Sequence, residues 1–262
     1  MSVSRQFVIL LFGVASGPSP LAFAQKAGSG EAHAGLGLRV RPAYEGAESR
    51  RGQAIPYLRF YREHFFARTT QGMLEAGVRA EPLARVVFGA QLAYEDGRLS
   101  DESAFLRARN FEDIDPGASA GAHAEIDWNA GPMPLNALVR YRRHFDSDLG
   151  AQADLRLTAG IYSRGRVKAG VYGQLTWSDD KAMRSYFGVS AQESAVSGLP
   201  QYAAGAGLRF AEAGLLGAVD LSKRWLMLWG ANARRLQANA GDSPIVQKST
   251  NWYVNAGAAC RF

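Results

Sequence analysis

The sequence predicts an all-β protein: a transmembrane antiparallel β-barrel of about 12–14 strands that follows a cleaved signal peptide. Three observations carry that expectation: a two-residue apolar period at the carboxy terminus, a secretory segment at the amino terminus, and a composition suited to strands that are half wet. From Trp252 onward, alternate positions read Trp252, Val254, Ala256, Ala258, Cys260 and Phe262, and the positions between them are mostly polar or small. A period of two puts one set on each face of a strand. An apolar face that ends on an aromatic residue is the form of the signal read during outer-membrane barrel assembly, so Trp252 and Phe262 are assigned to it. An edge strand of a soluble sandwich is the competing reading of this segment, and the amino terminus argues against it.

Residues 1–24 have the layout of a secretory leader. Arg5 supplies the basic start, Phe7 to Val14 the apolar run, and Ala22-Phe23-Ala24 a small-x-small site that directs cleavage between Ala24 and Gln25. The apolar run is too short for a membrane-spanning helix, and no later segment is long enough. Residues 25–262 are then expected to form one outer-membrane barrel domain in contact with lipid, in the outer membrane of a Gram-negative cell.

Composition excludes several other classes. Hydrophobic residues make up 47% of the chain, yet mean hydropathy is only −0.17, as expected when every second strand residue faces water. Twenty-nine glycines and 11% aromatics suit tight turns and interfacial girdles. The formal charge of +6 could suggest a nucleic-acid partner, but the basic residues are scattered through strands rather than clustered, so none is expected. Cys260 is the single cysteine. It has no intrachain partner and lies in the lipid-facing register.

The period of two recurs along the chain. In 117–128, Ala118, Ala120, Ala122, Ala124, Ile126 and Trp128 oppose Gly117, Ser119, Gly121, His123, Glu125 and Asp127. Segments 152–162 and 167–177 repeat the pattern, with Asp154, Arg156 and Lys168 on the polar side. Closing such a sheet turns the polar sets into a lumen, where Glu125, Asp127, Arg140, Arg142, Asp154, Arg156 and Lys168 are expected to form a charge network. Further strands are read near 35–44, 53–61, 64–70, 72–79, 84–94, 134–144, 184–191, 201–210, 214–221 and 225–236. Counted with the final one, these make about fourteen strands, and twelve is the alternative. Short turns at 129–132, 163–166 and 222–224 fall on the periplasmic side. Longer connections at 95–115, 144–150, 178–184 and 237–249 fall outside. With these strands, the sides alternate only if 184–191 is a strand. The 95–115 connection, rich in Asp and Glu, reads foremost as a solvated outer loop; a plug or a cation-bridged lipopolysaccharide contact is the other reading.

Ser119, His123 and Glu125 share one strand face and invite comparison with a hydrolase. Positions i and i+4 on a strand lie about 13 Å apart at a rise of about 3.3 Å per residue, beyond nucleophile–base contact. Gly205-Ala206-Gly207 lies within a predicted strand with no helix after it, so no nucleotide site is read there. His33, His64 and His144 have no metal-ligand spacing. No catalytic residues, metal ligands or cofactors are therefore expected.

Specific stretches resemble the MipA/OmpV family of MltA-interacting outer-membrane proteins. They are Pro42-Ala43-Tyr44-Glu45-Gly46, Ile55-Pro56-Tyr57, Tyr94-Glu95-Asp96-Gly97-Arg98, Trp177-Ser178-Asp179, Tyr186-Phe187-Gly188-Val189-Ser190, Ser197-Gly198-Leu199 and Leu221-Ser222-Lys223-Arg224-Trp225-Leu226, followed by Arg235-Leu236 and Asp242-Ser243-Pro244-Ile245-Val246. Two positions depart from the family pattern: Cys260, where a tyrosine is common, and Ala182-Met183, where a Tyr-Met pair is common. The resemblance implies a non-enzymatic barrel that scaffolds a lytic transglycosylase and a peptidoglycan synthase in cell-wall assembly. A small-solute channel or a surface-exposed adhesin or binding barrel is the alternative.

Overall fold

The computed structural model describes residues 32–70 and 72–262; the leader 1–24 and the Ala24–Gln25 cleavage site lie outside the described residues. Twelve strands form the barrel: β1 (Ala32–Pro42), β2 (Arg50–Arg62), β3 (Phe65–Thr70), β4 (Met73–Leu83), β5 (Val86–Glu95), β6 (Gly117–Ala130), β7 (Met133–His144), β8 (Ala151–Arg164), β9 (Val167–Ser178), β10 (Gly207–Asp220), β11 (Trp225–Leu236) and β12 (Thr250–Arg261). Each strand pairs antiparallel with its sequence neighbours. β1 pairs with β12 in a register that sets Leu36 opposite Ala258 and Val40 opposite Val254, which closes the sheet. Closure removes both edges and gives the strand backbones partners all round, the condition for crossing a bilayer with strands.

The two faces follow the sequence period. Leu36 (72% exposed), Leu38, Leu92, Val139, Leu157, Trp252 and Val254 stand on the outside with no protein against them. An apolar exterior on a closed cylinder is stable only in contact with acyl chains, and the chain is a transmembrane barrel of the outer-membrane type. Phe262 (78% exposed) continues this outer face beyond the last strand. On the inside, Glu75, Ser119, Arg140, Asp154 and Thr176 are buried.

Both ends of the described chain lie at one rim, the terminal rim. There the connections are short: 63–64, 84–85, 131–132, 165–166 and 221–224. At the opposite, far rim, five of the six connections are longer: 43–49, 96–116, 145–150, 179–206 and 237–249. Segment 184–191, expected as a strand, is instead the end of α2 (Asp180–Phe187) and the loop after it. Asp179 caps this helix by accepting from Ala182 N at 2.9 Å and ties it to β8 by accepting from Ala151 N at 2.9 Å. Met183 and Phe187, four apart, share its buried face. α3 (Ala191–Ser197) follows, opened by a capping box between Ser190 and Glu193.

Strand parity survives because a second expectation also changes. Segments 201–210 and 214–221 are not two strands but one, β10, starting at Gly207. A bulge between Leu208 and Phe210 turns Arg209 inward. Removing one strand and merging two others leaves twelve, with long and short connections on opposite rims.

Connection 96–116 is also not a free solvated loop. Arg98 and Ile114 bridge each other through backbone bonds of 2.8 and 2.9 Å. Leu106 of α1 (Ala104–Arg107) and Phe111 pack with Tyr44, Ala47, Val189 and Ile245 in a buried cluster. A second cluster joins Met183, Phe187, Ala204, Phe210, Leu236 and Ala240, the last from α4 (Ala238–Gly241). Segments from four far-rim connections thus meet in an apolar cap over that end of the barrel.

Candidate functional site

The lumen is the place where sequence-encoded chemistry converges. On its β3–β9 side the inward residues fill the space with ion pairs. Arg140 (1% exposed) reaches from β7 to Glu75 on β4. It also holds Asp154 on β8 through Nε at 2.9 Å and Nη2 at 2.7 Å. Arg68 on β3 donates from Nε to Glu75 at 2.9 Å and from Nη1 to Glu125 on β6 at 2.6 Å. Arg142 joins Glu95 at 2.5 Å, and Glu95 also accepts from Ser119 Oγ at 2.9 Å. Thr176 Oγ1 donates to the other oxygen of Asp154 at 2.7 Å. Three of these contacts, Arg140–Glu75, Arg68–Glu125 and Arg142–Glu95, run as chords between strands two or three apart and the others join adjacent strands, so together they brace the wall as well as fill it.

Below the cap lies a second group. Glu45, in the 43–49 connection, accepts from Arg209 Nε at 2.8 Å and from Arg234 Nη1 at 2.5 Å. Burial alone would raise the Glu45 carboxyl, but these guanidiniums outweigh it and hold the group below the usual carboxylate range. Arg234 also pairs with Glu212 at 2.7 Å and stacks on Phe210, with its guanidinium 3.8 Å from the ring centre. Tyr44 Oη donates to Ile245 O at 2.8 Å, which stitches the first connection to the last. Desolvation pushes the Tyr44 phenol well above its ordinary value, so it stays a donor.

Toward the terminal rim the lumen opens into a cavity of about 310 Å³. Its wall carries Arg39, Arg68, Arg156 and Arg234, the rings of Tyr57 and Tyr172, and apolar side chains including Ile55, Leu138 and Leu226. Gly37 and Gly257 face each other on β1 and β12. Their lack of a Cβ lets the Tyr57 ring lie across both strands, and its Oη donates to Asn255 Oδ1 at 2.7 Å. A smaller cavity of about 150 Å³, lined by Arg41, Glu95, Asp96 and Arg98 among others, sits under the cap.

The seven residues read from sequence as a lumen network all lie on inward strand positions, but they do not form a single cluster. Arg140 and Asp154 meet directly. Glu125 pairs with Arg68, Asp127 accepts from Asn136 Nδ2 at 2.9 Å, Arg156 stacks on Tyr172 at 3.9 Å, and Lys168 sits at the terminal end beside the 165–166 turn. Glu75 and Arg68, the residues that join the two halves of the network, escaped the sequence reading. The signal was present in Leu74, Ala76 and Val78 alternating with Met73, Glu75 and Gly77, but the strand is short of polar markers. Ser119 and His123 are engaged separately: Ser119 with Glu95, and His123 with Gln91 and edge-on to Phe66 at 5.4 Å.

No curated protein sequence matches the chain. Among solved structures it is similar to an outer membrane channel from Pseudomonas putida F1 (10% identity, TM-score 0.47, 95% of this chain and 100% of that one). It is also similar to the NanC porin (10%, 0.48, 87% and 100%) and to a FadL homologue from Pseudomonas aeruginosa (8%, 0.39, 88% and 90%). These likenesses are remote. A family pattern described as MltA-interacting protein MipA matches residues 34–262, which is nearly the whole barrel. The chain belongs to the MipA family.

Proposed function

We propose that this barrel is a non-enzymatic scaffold that holds a lytic transglycosylase of the MltA kind, and with it a peptidoglycan synthase, at the inner face of the outer membrane. The family's description by an interaction supports the reading. The observation that carries it is the filled and covered lumen: an apolar cap at one rim and ion-paired side chains across the β3–β9 half. Such an interior favours a rigid docking body over an open channel. On this reading residues 1–24 are removed on export, and the terminal rim faces the periplasm, where murein enzymes work.

That rim offers a basic surface. Asp220 N donates to Arg166 O at 2.9 Å, and Arg166 Nη1 donates to Leu221 O at 3.5 Å, so the 165–166 and 221–224 turns are joined. Arg164, Arg166, Lys223 and Arg224 then stand on one patch suited to an acidic partner. The test is photo-crosslinking in living cells from positions 165 and 223, with Arg164, Arg166, Lys223 and Arg224 changed to Glu in a parallel strain. The scaffold reading expects a murein hydrolase in the cross-linked product and its loss in the charge-reversed strain. Recovery of no murein enzyme, or unchanged recovery after reversal, refutes it. A steady conductance in planar bilayers would instead favour the small-solute channel.

A further inference from the structure

The terminal cavity is more than leftover space. Arg39 and Arg156 point into it, and among the described residues neither has a carboxylate within ion-pair distance; their recorded contacts are with the rings of Tyr253 and Tyr172, at 5.2 and 3.9 Å. Arg68 lines the same space, and its Nη2, buried, has no hydrogen-bond partner although its other nitrogens are paired. Arg68, Arg140, Arg142, Arg209 and Arg234 are each matched to a carboxylate, so Arg39 and Arg156, which are not, depart from the pattern of their neighbours. Like charges facing a shared low-dielectric space repel, and an anion placed among them relieves that repulsion. Gly72, at φ +86°, sits against the Arg39 guanidinium, where any Cβ would displace it.

Apolar side chains share the wall with these guanidiniums, Leu138 as the register partner of Arg156, and Glu212, paired with Arg234 and Tyr172, lines the cavity too. Ile55, Leu138 and Leu226 occupy inward positions and are buried, although inward positions here are otherwise mostly polar. A cavity of about 310 Å³ is at the small end for an organic ligand. We propose that this cavity is a binding site for a small organic acid, with its carboxylate held by Arg39 and Arg156 and its hydrocarbon body against Ile55, Leu138 and Leu226. Inorganic oxyanions satisfy only the guanidiniums and leave the apolar side chains wet.

The experiment uses the full barrel in detergent and saturation-transfer NMR, with benzoate, benzamide and inorganic phosphate as probes. Benzoate is expected to bind, with benzamide and phosphate at least about tenfold weaker, the loss set by one charge-assisted hydrogen bond. Arg156→Gln and the Arg39→Gln/Arg156→Gln pair, verified as folded by gel mobility, are expected to weaken benzoate by about tenfold and beyond detection. Absence of benzoate binding, equal binding of benzoate and benzamide, phosphate binding as tight as benzoate, or benzoate binding unchanged in the variants would each overturn the assignment. The benzoate–benzamide contrast in the unaltered chain decides the matter even if a variant fails to fold.

Discussion

Replacing Glu75 by Ala tests whether the lumen network is held away from water. Glu75 is 0% exposed and is the one carboxylate shared by Arg68 and Arg140. Breaking a buried ion pair by removing one partner costs about 3–5 kcal/mol. Both guanidiniums keep a second carboxylate here, Arg68 that of Glu125 at 2.6 Å and Arg140 that of Asp154 at 2.7 Å. The loss should therefore lie at the lower end, about 3 kcal/mol. Glu75→Gln preserves shape and one acceptor oxygen, so about 1.5 kcal/mol is expected, the value of a hydrogen bond to a charged group. The assay is urea unfolding of the barrel in phospholipid vesicles, followed by tryptophan fluorescence, with added salt as a control. A desolvated network should respond little to salt. If Glu75→Ala shifts stability by less than about 1 kcal/mol, the pairs behave as surface ion pairs do, and the picture of a bracing, water-excluded interior is wrong.

The cap should loosen with acid. Glu45 titrates at about 4.3 in an unfolded chain and lower in the folded one, so its contribution is whole above that value and is lost as pH falls through the folded one. The protection of amides in 43–49, taken relative to their intrinsic exchange rates, should fall on acidification, and in Glu45→Gln it should be low and flat with pH; unchanged protection in both would refute the assignment. Tyr44→Phe removes the hydroxyl that reaches Ile245 O and should cost about 1 kcal/mol, seen as faster proteolysis at the far rim while the barrel stays intact. Deleting Phe262 should lower the yield of heat-modifiable barrel in cell envelopes without slowing refolding of the purified chain. Equal yields would separate Trp252 and Phe262 from any assembly role.

Much of this protein could be read from local pattern because strands in a membrane barrel obey a strict rule. Lipid on one side and lumen on the other force alternation, and Ala118 through Trp128 or Ala153 through Leu157 display it without any knowledge of neighbours. The class, the exterior, the inward direction of Arg140, Asp154 and Arg156, and the short turns at 131–132 and 165–166 all follow from that period. The far-rim cap did not follow from it. Tyr186-Phe187-Gly188-Val189-Ser190 alternates well enough to pass for a strand, and only packing of Met183 and Phe187 against Phe210, Leu236 and Ala240 makes the helical spacing the one that buries them. Segments 201–210 and 214–221 give one strand, β10, in which Glu212 has an inward role that appears only once Arg234 is its neighbour. Pairing inside the lumen was equally beyond the sequence. Glu75 meets Arg140 across three strands because curvature of the closed sheet brings distant positions face to face. Closure sets which charges meet, whereas the alternation along each strand sets only which way they point.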